Sequence, residues 1–327
     1  MIFCRSFPKF PYMRESSDLP APADLVAGDL VAGDDAPPGR NLGMDGGETW
    51  LKVDFHIHTG EDPFDELDFS ASELLYGAHA LGFHAVAITH HGTVFSRPEV
   101  AALACELGVL LIPAGEIRIE GADVVVLNIS PEEATGLRSW GDLAALRRRR
   151  GESVFIIAAH PFYRLGGSIG RERLKEKLAL FDAIEQCHLH TRFFDLNAPA
   201  RAVARGCGKP LVATSDTHRL SHFGRHYTRV KARQEGGAAA LFAAIRAGNV
   251  ECVSPRHSLW GFLEYAWWIF AVHEVRLLQA RYGRGSVLGE VVLSVAEGGG
   301  KPPQRVRYPE RNGETLLTPR LPEGGSV

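Results

Sequence analysis

Two short motifs in this chain set metal-ligand residues two positions apart: His56-Ile57-His58, and further on Asp216-Thr217-His218. In an extended strand, residues i and i+2 point to the same side, so each pair presents its donors together. Between the two motifs, His90 and His91 in ITHHG, Glu116 in AGEI and His160 in AAHP each close an apolar run. Imidazole nitrogen and carboxylate oxygen are ligands that Zn2+, Mn2+ and Fe2+ accept. One His at a strand end is ordinarily a hydrogen-bonded structural residue. Several in order are not explained by packing, because burying so many ionisable groups without a cation is expensive. The pattern predicts a metal centre.

The elements that must carry these residues are short and apolar. Strand-like runs cover 51–58, 84–90, 109–119, 123–129, 153–160, 181–188 and 211–218, most of them continuously apolar, as expected of strands buried on both faces of a parallel sheet. Helical patterns fall at 71–81, 98–107, 140–150, 171–177 and 197–205, and Ser70 or Ser72 can cap the first. Repeated βα units give a closed barrel or an open doubly wound sheet. No Gly-x-Gly-x-x-Gly follows the first run, which removes support for a dinucleotide fold. The expected class is α/β, with the barrel favoured because strand-end ligands then converge at one rim.

Composition sets the frame. The chain has 327 residues, net charge −3, 45% hydrophobic residues and 14 His. Near-neutral charge argues against stable duplex nucleic acid as a partner. Five scattered Cys exclude a disulfide scaffold and a Cys-rich zinc module, so a reduced, cytoplasmic compartment is expected. The N-terminus lacks a continuous apolar h-region, against a signal peptide. Residues 1–48 read as a disordered leader in which DLVAG occurs twice, 49–250 as the catalytic barrel, 251–283 as an aromatic-rich helical extension and 284–327 as a loose tail. The apolar stretch 259–272 is short of the ~20 residues that span a bilayer, so no transmembrane span is expected. It reads as a helix packed on the barrel or on a second subunit, with a membrane-surface or partner-docking helix as the alternative, so a homo-oligomer or partner contact would run through 259–275.

The segments DFHIHT, GFHAVAITHHGT, PAGEIRI, AAHPF, FDAIEQCH and TSDTHRL resemble, in order, the PHP family of metal-dependent phosphoesterases, over roughly residues 53–227. That resemblance implies a distorted, TIM-like seven-stranded (βα) barrel with two or three divalent ions (Zn, Mn or Fe) at the strand C-termini. Carried over by position, it implies His56, His58, Glu116 and Asp216 around the first ion. His91 and His218 go to the second, with Asp65 preferred over Asp62 as a loop ligand. His160 with Glu116 goes to the third. Three positions depart from the family pattern: His90 replaces an Asp, Asn128 stands where a fourth-strand His is common, and His188 fills a sixth-strand position, where it is a further candidate ligand.

The implied chemistry is hydrolysis of a phosphate ester of a small metabolite, nucleotide or short oligonucleotide by a metal-activated hydroxide, without a covalent intermediate. Glu116, His91 and His190 are the candidate catalytic residues, with His90 or a bound water as other sources of the leaving-group proton. Arg164, Arg219 and Arg225 are candidate phosphate contacts, and the run 147–150 reads as a solvated helix end. Two rivals stand beside this reading. An amidohydrolase-type barrel also opens on His-x-His, but its bridging lysine has no counterpart, since no Lys lies between Val53 and Leu174. A non-catalytic metal- or phosphate-binding module is the other.

Overall fold

Strand and helix alternate along most of the chain, but the strands do not all run the same way. The computed structural model describes residues 47–163 and 167–269. The elements are β1 (Thr49–Ile57), α1 (Ala71–Ala80), β2 (Ala85–Ile88), α2 (Pro98–Glu106), β3 (Leu110–Leu111), β4 (Ala114–Ile119), β5 (Ala122–Leu127), α3 (Pro131–Gly136) and α4 (Trp140–Arg150). They continue as β6 (Phe155–Ala158), α5 (Arg171–Lys177), β7 (Ala183–Gln186), α6 (Ala198–Cys207), β8 (Leu211–Ala213), β9 (Tyr227–Ala232), α7 (Gly237–Arg246), β10 (Val250–Val253) and α8 (Leu259–Trp267). The proposed leader and tail, and positions 270–283 of the extension, lie outside the described residues.

Local chemistry accounts for the helix starts. Ser70 with Glu73, Ser130 with Glu133 and Ser139 with Asp142 form reciprocal capping boxes at α1, α3 and α4, satisfying first-turn N–H groups. Proline opens α2 and α3, where its missing N–H costs nothing. The run of arginines ending α4 is not a free solvated end: Arg147 pairs with Asp182, and Arg149 and Arg150 pair with Glu133.

The expected seven-stranded barrel does not form as one continuous ladder. Ten strands fall into two five-stranded sheets, β10-β9-β1-β2-β3 and β4-β5-β6-β7-β8, with no closed barrel. Pro113 splits the predicted 109–119 strand into β3 and β4. β4 and β5 are antiparallel, joined by Glu120-Gly121, which both sit at positive φ (45° and 85°) as a tight hairpin turn requires. β5 is also antiparallel to β6, whereas β6, β7 and β8 run parallel. The sheets meet at single parallel bridges, Ile57 to Thr217 and His91 to Glu116. They also share one core: Val53 and Phe55 of the first sheet pack with Val125, Leu127, Phe155 and Ile157 of the second.

The β1–β2 register slips between Asp54 and Ile57. Val53 and Phe55 face this shared core, whereas Ile57, beyond the slip, joins the outer core beneath α1. The irregularity turns the strand end, as bulges do, and frees His56 and His58 to point inward. Among the described residues no helix is long and apolar enough to cross a membrane.

A backbone seam sets Glu116. Gly92 N–H donates to the Glu116 carbonyl at 2.8 Å and Glu116 N–H to the His90 carbonyl at 3.1 Å. A Cβ on Gly115 would collide with the Thr93 carbonyl oxygen in this seam. Gly115→Ala is expected to cost about 1–3 kcal/mol in denaturant unfolding and to weaken metal binding by displacing Glu116 from His91. An unchanged unfolding midpoint would show that the seam gives way freely.

Candidate metal centre

Four histidines from three separate segments converge on one carboxylate. Nε2 of His56, His58 and His91 lies 3.4, 3.4 and 3.2 Å from Glu116 Oε2, and Nε2 of His160 lies 3.0 Å from Oε1. Asp216 Oδ1 adds a second acceptor, 3.4 Å from His56 Nε2 and 3.5 Å from His58 Nε2. Ligands at about 2.0–2.2 Å from one tetrahedral ion stand about 3.3–3.5 Å apart, so these spacings suit a coordinated cation. His160 and Asp216, each at a strand end, adopt positive φ (22° and 46°), the strained backbone that collects at working sites.

The opposite ring nitrogens decide the polarity. His56 Nδ1 lies 2.8 Å from Glu185 Oε1, and the Nδ1 atoms of His58 and His91 both lie 3.0 Å from Asp62 Oδ2. With Nδ1–H donating to these acids, each Nε2 carries a lone pair aimed at Glu116. Nε2 of His56 and of His58 is buried and has no hydrogen-bond partner. A lone pair facing a buried carboxylate is repulsive unless a cation sits between them, and the donor set is one that divalent ions accept.

The protonation balance says the same. Burial alone would push His56 and His58 down; the carboxylates of Asp216, Glu185 and Glu116 around His56, and of Asp216, Asp62 and Glu116 around His58, outweigh it and hold both well above the usual histidine range. His160 follows, lifted against burial by Glu116 to about 9. Glu116 and Asp216 are held well below the carboxylate range by the same histidines, again against burial. Without a metal, the centre stores protons where an ion would place its charge.

Two groups legible only in three dimensions complete the arrangement. Glu185 on β7 is fully buried and also receives the Thr214 hydroxyl and the His160 N–H. Asp123 opens β5 and lies within ligand distance of Glu116 and His160. Asn128, the position suggested for a fourth-strand ligand, instead donates to the Ser153 carbonyl at 2.7 Å. The reason is strand direction: β5 is antiparallel to β4 and β6, so its first residues, not its last, reach the centre.

The loop after β1 brings in both acids. Asp62 holds the two Nδ1 atoms, while Asp65 Oδ2 faces His218 Nε2 at 3.3 Å and His91 Nδ1 at 3.4 Å. His218 fixes its other nitrogen on the Asp216 carbonyl at 2.9 Å. His90 turns away: its Nε2 meets Thr59 Oγ1 at 2.9 Å and burial lowers it to about 4. His190 is also hydrogen-bonded, through Nε2 to the Ser254 carbonyl at 3.0 Å and through Nδ1 to the Asn197 amide at 3.3 Å. Arg219 pairs with Glu264 at 3.2 Å and covers Trp268, and Arg164 lies outside the described residues.

His188 is not among the groups that converge within ligand distance. It belongs to a second histidine cluster beside Asp216, a small cavity walled by His188, His222, Arg225, His226, His257 and Tyr265. Here carboxylates are scarce and burial dominates: His188 and His222 fall to about 3, and His226 to about 2, with neighbouring His188 adding to the effect on His226.

Residues 195–250, which include Asp216 and His218, match the family model described as PHP-associated. The PHP resemblance is borne out. A 128-residue stretch is 28% identical to the uncharacterized protein MJ1587 of Methanocaldococcus jannaschii, covering 37% of this chain and 73% of that protein. Among solved structures, similarity extends to a two-domain protein of Bacteroides vulgatus containing a predicted PHP-like metal-dependent phosphoesterase. Identity there is 20% and the TM-score 0.49, with 64% of this chain set on 66% of that one, so the chain spans just under two thirds of its length. The lesion-specific endonuclease PfuEndoQ of Pyrococcus furiosus is similar at 13% identity and TM-score 0.47, with 79% and 74% of the two chains covered.

Two outcomes follow from this geometry. Glu185→Gln leaves shape intact but removes the charge behind His56, and metal affinity measured calorimetrically should fall about 10–100-fold. No change would mean that Glu185 only fills space. The second concerns acid. His222 and His226 are held neutral in the fold, so stability is fully present above the unfolded value near 6.5 and is lost as pH falls from there toward about 3 and 2. A His226→Asn variant should show a shallower decline in Tm between about pH 7 and pH 4; an identical slope would refute the assignment.

Proposed function

We propose that this chain is a metal-dependent phosphoesterase that hydrolyses a phosphate ester of a small metabolite, nucleotide or short oligonucleotide. The observation that carries the reading is the convergence of four Nε2 atoms on Glu116, two of them buried without a hydrogen-bond partner. In this reading β1, β2, β4, β5, β6, β7 and β8 are the seven strands that ring the centre.

His56, His58, Glu116 and Asp216 would hold one divalent ion; His91, His218, Asp65 and Glu116 would hold a second. Such ions supply Lewis-acid charge where negative charge builds on the phosphate oxygens, and they acidify water at the centre. The protein's part is to fix the donors. Glu185 locks the His56 ring from behind, and Asp62 does so for His58 and His91 with one oxygen. Glu116 turns Oε2 to three histidines and Oε1 to His160, so its two oxygens serve neighbouring positions and suit a bridging ligand.

Access is one-sided. The His56 and His58 side chains are fully buried, whereas that of His91 is 30% exposed. A phosphate ester would enter over His91, with its leaving group toward solvent. Hydrolysis cleaves one P–O bond with one water and needs no nucleophilic side chain. Cys187, the cysteine nearest a candidate position, is buried with its thiol donating to the Asn197 amide oxygen, and burial pushes that thiol well up.

With added Mn2+, the chain should hydrolyse an aryl phosphate or a nucleotide from a phosphoester panel. His56→Ala and Asp216→Ala should each lower kcat/KM by about 100-fold or more, the scale of losing an electrostatic stabiliser. A chelator should abolish turnover and the metal should restore it. A chain that binds its ions yet turns over no phosphoester would refute the proposal.

A further inference from the structure

One cation in the centre is part of the protein. Arg118 lies two residues beyond Glu116 on β4, directly opposite Asp123 on β5 in the cross-strand register. Its guanidinium grips the Asp123 carboxylate with both arms, Nη2 to Oδ2 at 3.0 Å and Nε to Oδ1. The same carboxylate belongs to the group it forms with Glu116 and His160, whose ligand atoms all lie within 4.8 Å of one another. His160 Nδ1 is itself buried without a partner.

The pair is built into the fold. Asp123 N–H donates to the Gly167 carbonyl at 2.6 Å, and a Cβ at Gly167 would collide with Asp123 Oδ2 and stand 3.1 Å from Arg118 Nη2. Gly167 sits at φ +91°, where only glycine is at ease. Asp123 is 5% exposed, so its charge needs a resident partner, and the fork of Arg118 matches a carboxylate bidentately.

We infer that Arg118 is the built-in counter-ion of Asp123, and that it holds the centre at two divalent ions by closing the Glu116–Asp123–His160 position to a third. The inference rests on the metal-centre reading above. A guanidinium on both oxygens repels an incoming dication and occupies the lone-pair directions that the dication would use. Removing the guanidinium leaves two acids and an imidazole within ligand distance and no resident cation, which is a vacant metal position.

The test is metal stoichiometry of the full chain by equilibrium dialysis against Mn2+ with elemental analysis, independent of turnover. Wild type and Arg118→Lys should bind two ions. Arg118→Ala should bind three, and Arg118→Gln, which keeps the side-chain bulk should alanine loosen the hairpin, should bind three as well. The double variant Arg118→Gln with Asp123→Asn should return to two. Three ions in the wild type, or two in both the Ala and Gln variants, overturns the inference. Fewer than two ions in the wild type instead overturns the metal-centre reading beneath it.

Discussion

The constraint on which this structure turns is the meeting of imidazole lone pairs with a buried carboxylate. Glu185 and Asp62 take the Nδ1 protons of His56, His58 and His91, and so commit their Nε2 atoms to face Glu116 as acceptors. Acceptor against acceptor in a protein interior is among the costliest arrangements that a chain can bury. It persists only with a cation supplied, as protons in the bare protein or as metal in the loaded one. The slip in β1, the positive φ at His160 and Asp216 and the tight seam at Gly115 all hold that meeting in place.

The two sheets matter because of where they join. Neither presents the full donor set: β1 and the loops after β1 and β2 bring His56, His58, Asp65 and His91, while β4, β6 and the segment after β8 bring Glu116, His160, Asp216 and His218. The single bridges from Ile57 to Thr217 and from His91 to Glu116 lie at the two seams, each beside a ligand. Because Val53 and Phe55 pack with Val125, Leu127, Phe155 and Ile157 across the same junction, disorder at either seam would separate the ligands and loosen the shared core together.

Much of this was legible in the sequence, because strand-end ligands follow apolar runs and period-two spacing fixes which side chains share a face. His56, His58, His91, Glu116, His160, Asp216 and His218 do converge. The failures share one cause. Apolar runs carry no sign for direction, so β5 reads as parallel and Asn128, just past its end, as the place where a fourth-strand ligand would stand; the Glu120-Gly121 turn reverses the strand and brings Asp123 instead. Strands β9 and β10 give no strong signal because they are only partly buried and polar residues interrupt them, and α7 gives little because its run is alanine-rich. Glu185 was hidden differently. Nothing in FDAIEQCH marks Glu185 as the partner of a histidine on β1, a strand of the other sheet, until the fold sets His56 Nδ1 2.8 Å from it.

The histidines make the larger physical point. His160 and His188 occupy equivalent places, each just past the end of a parallel strand, and one stands at about 9 and the other at about 3. Both are deeply buried, and burial pushes both down. The difference is the acid within reach: Glu116 contacts the His160 ring, whereas His188 is ringed by His226, His257 and Tyr265. Residue type and strand position nominate a ligand, but the neighbouring carboxylate decides whether an imidazole waits for a cation or is kept neutral. By that criterion Asp123, paired with Arg118, and His188, where the nearby Asp216 charge does not offset burial, mark the two edges of the candidate metal centre.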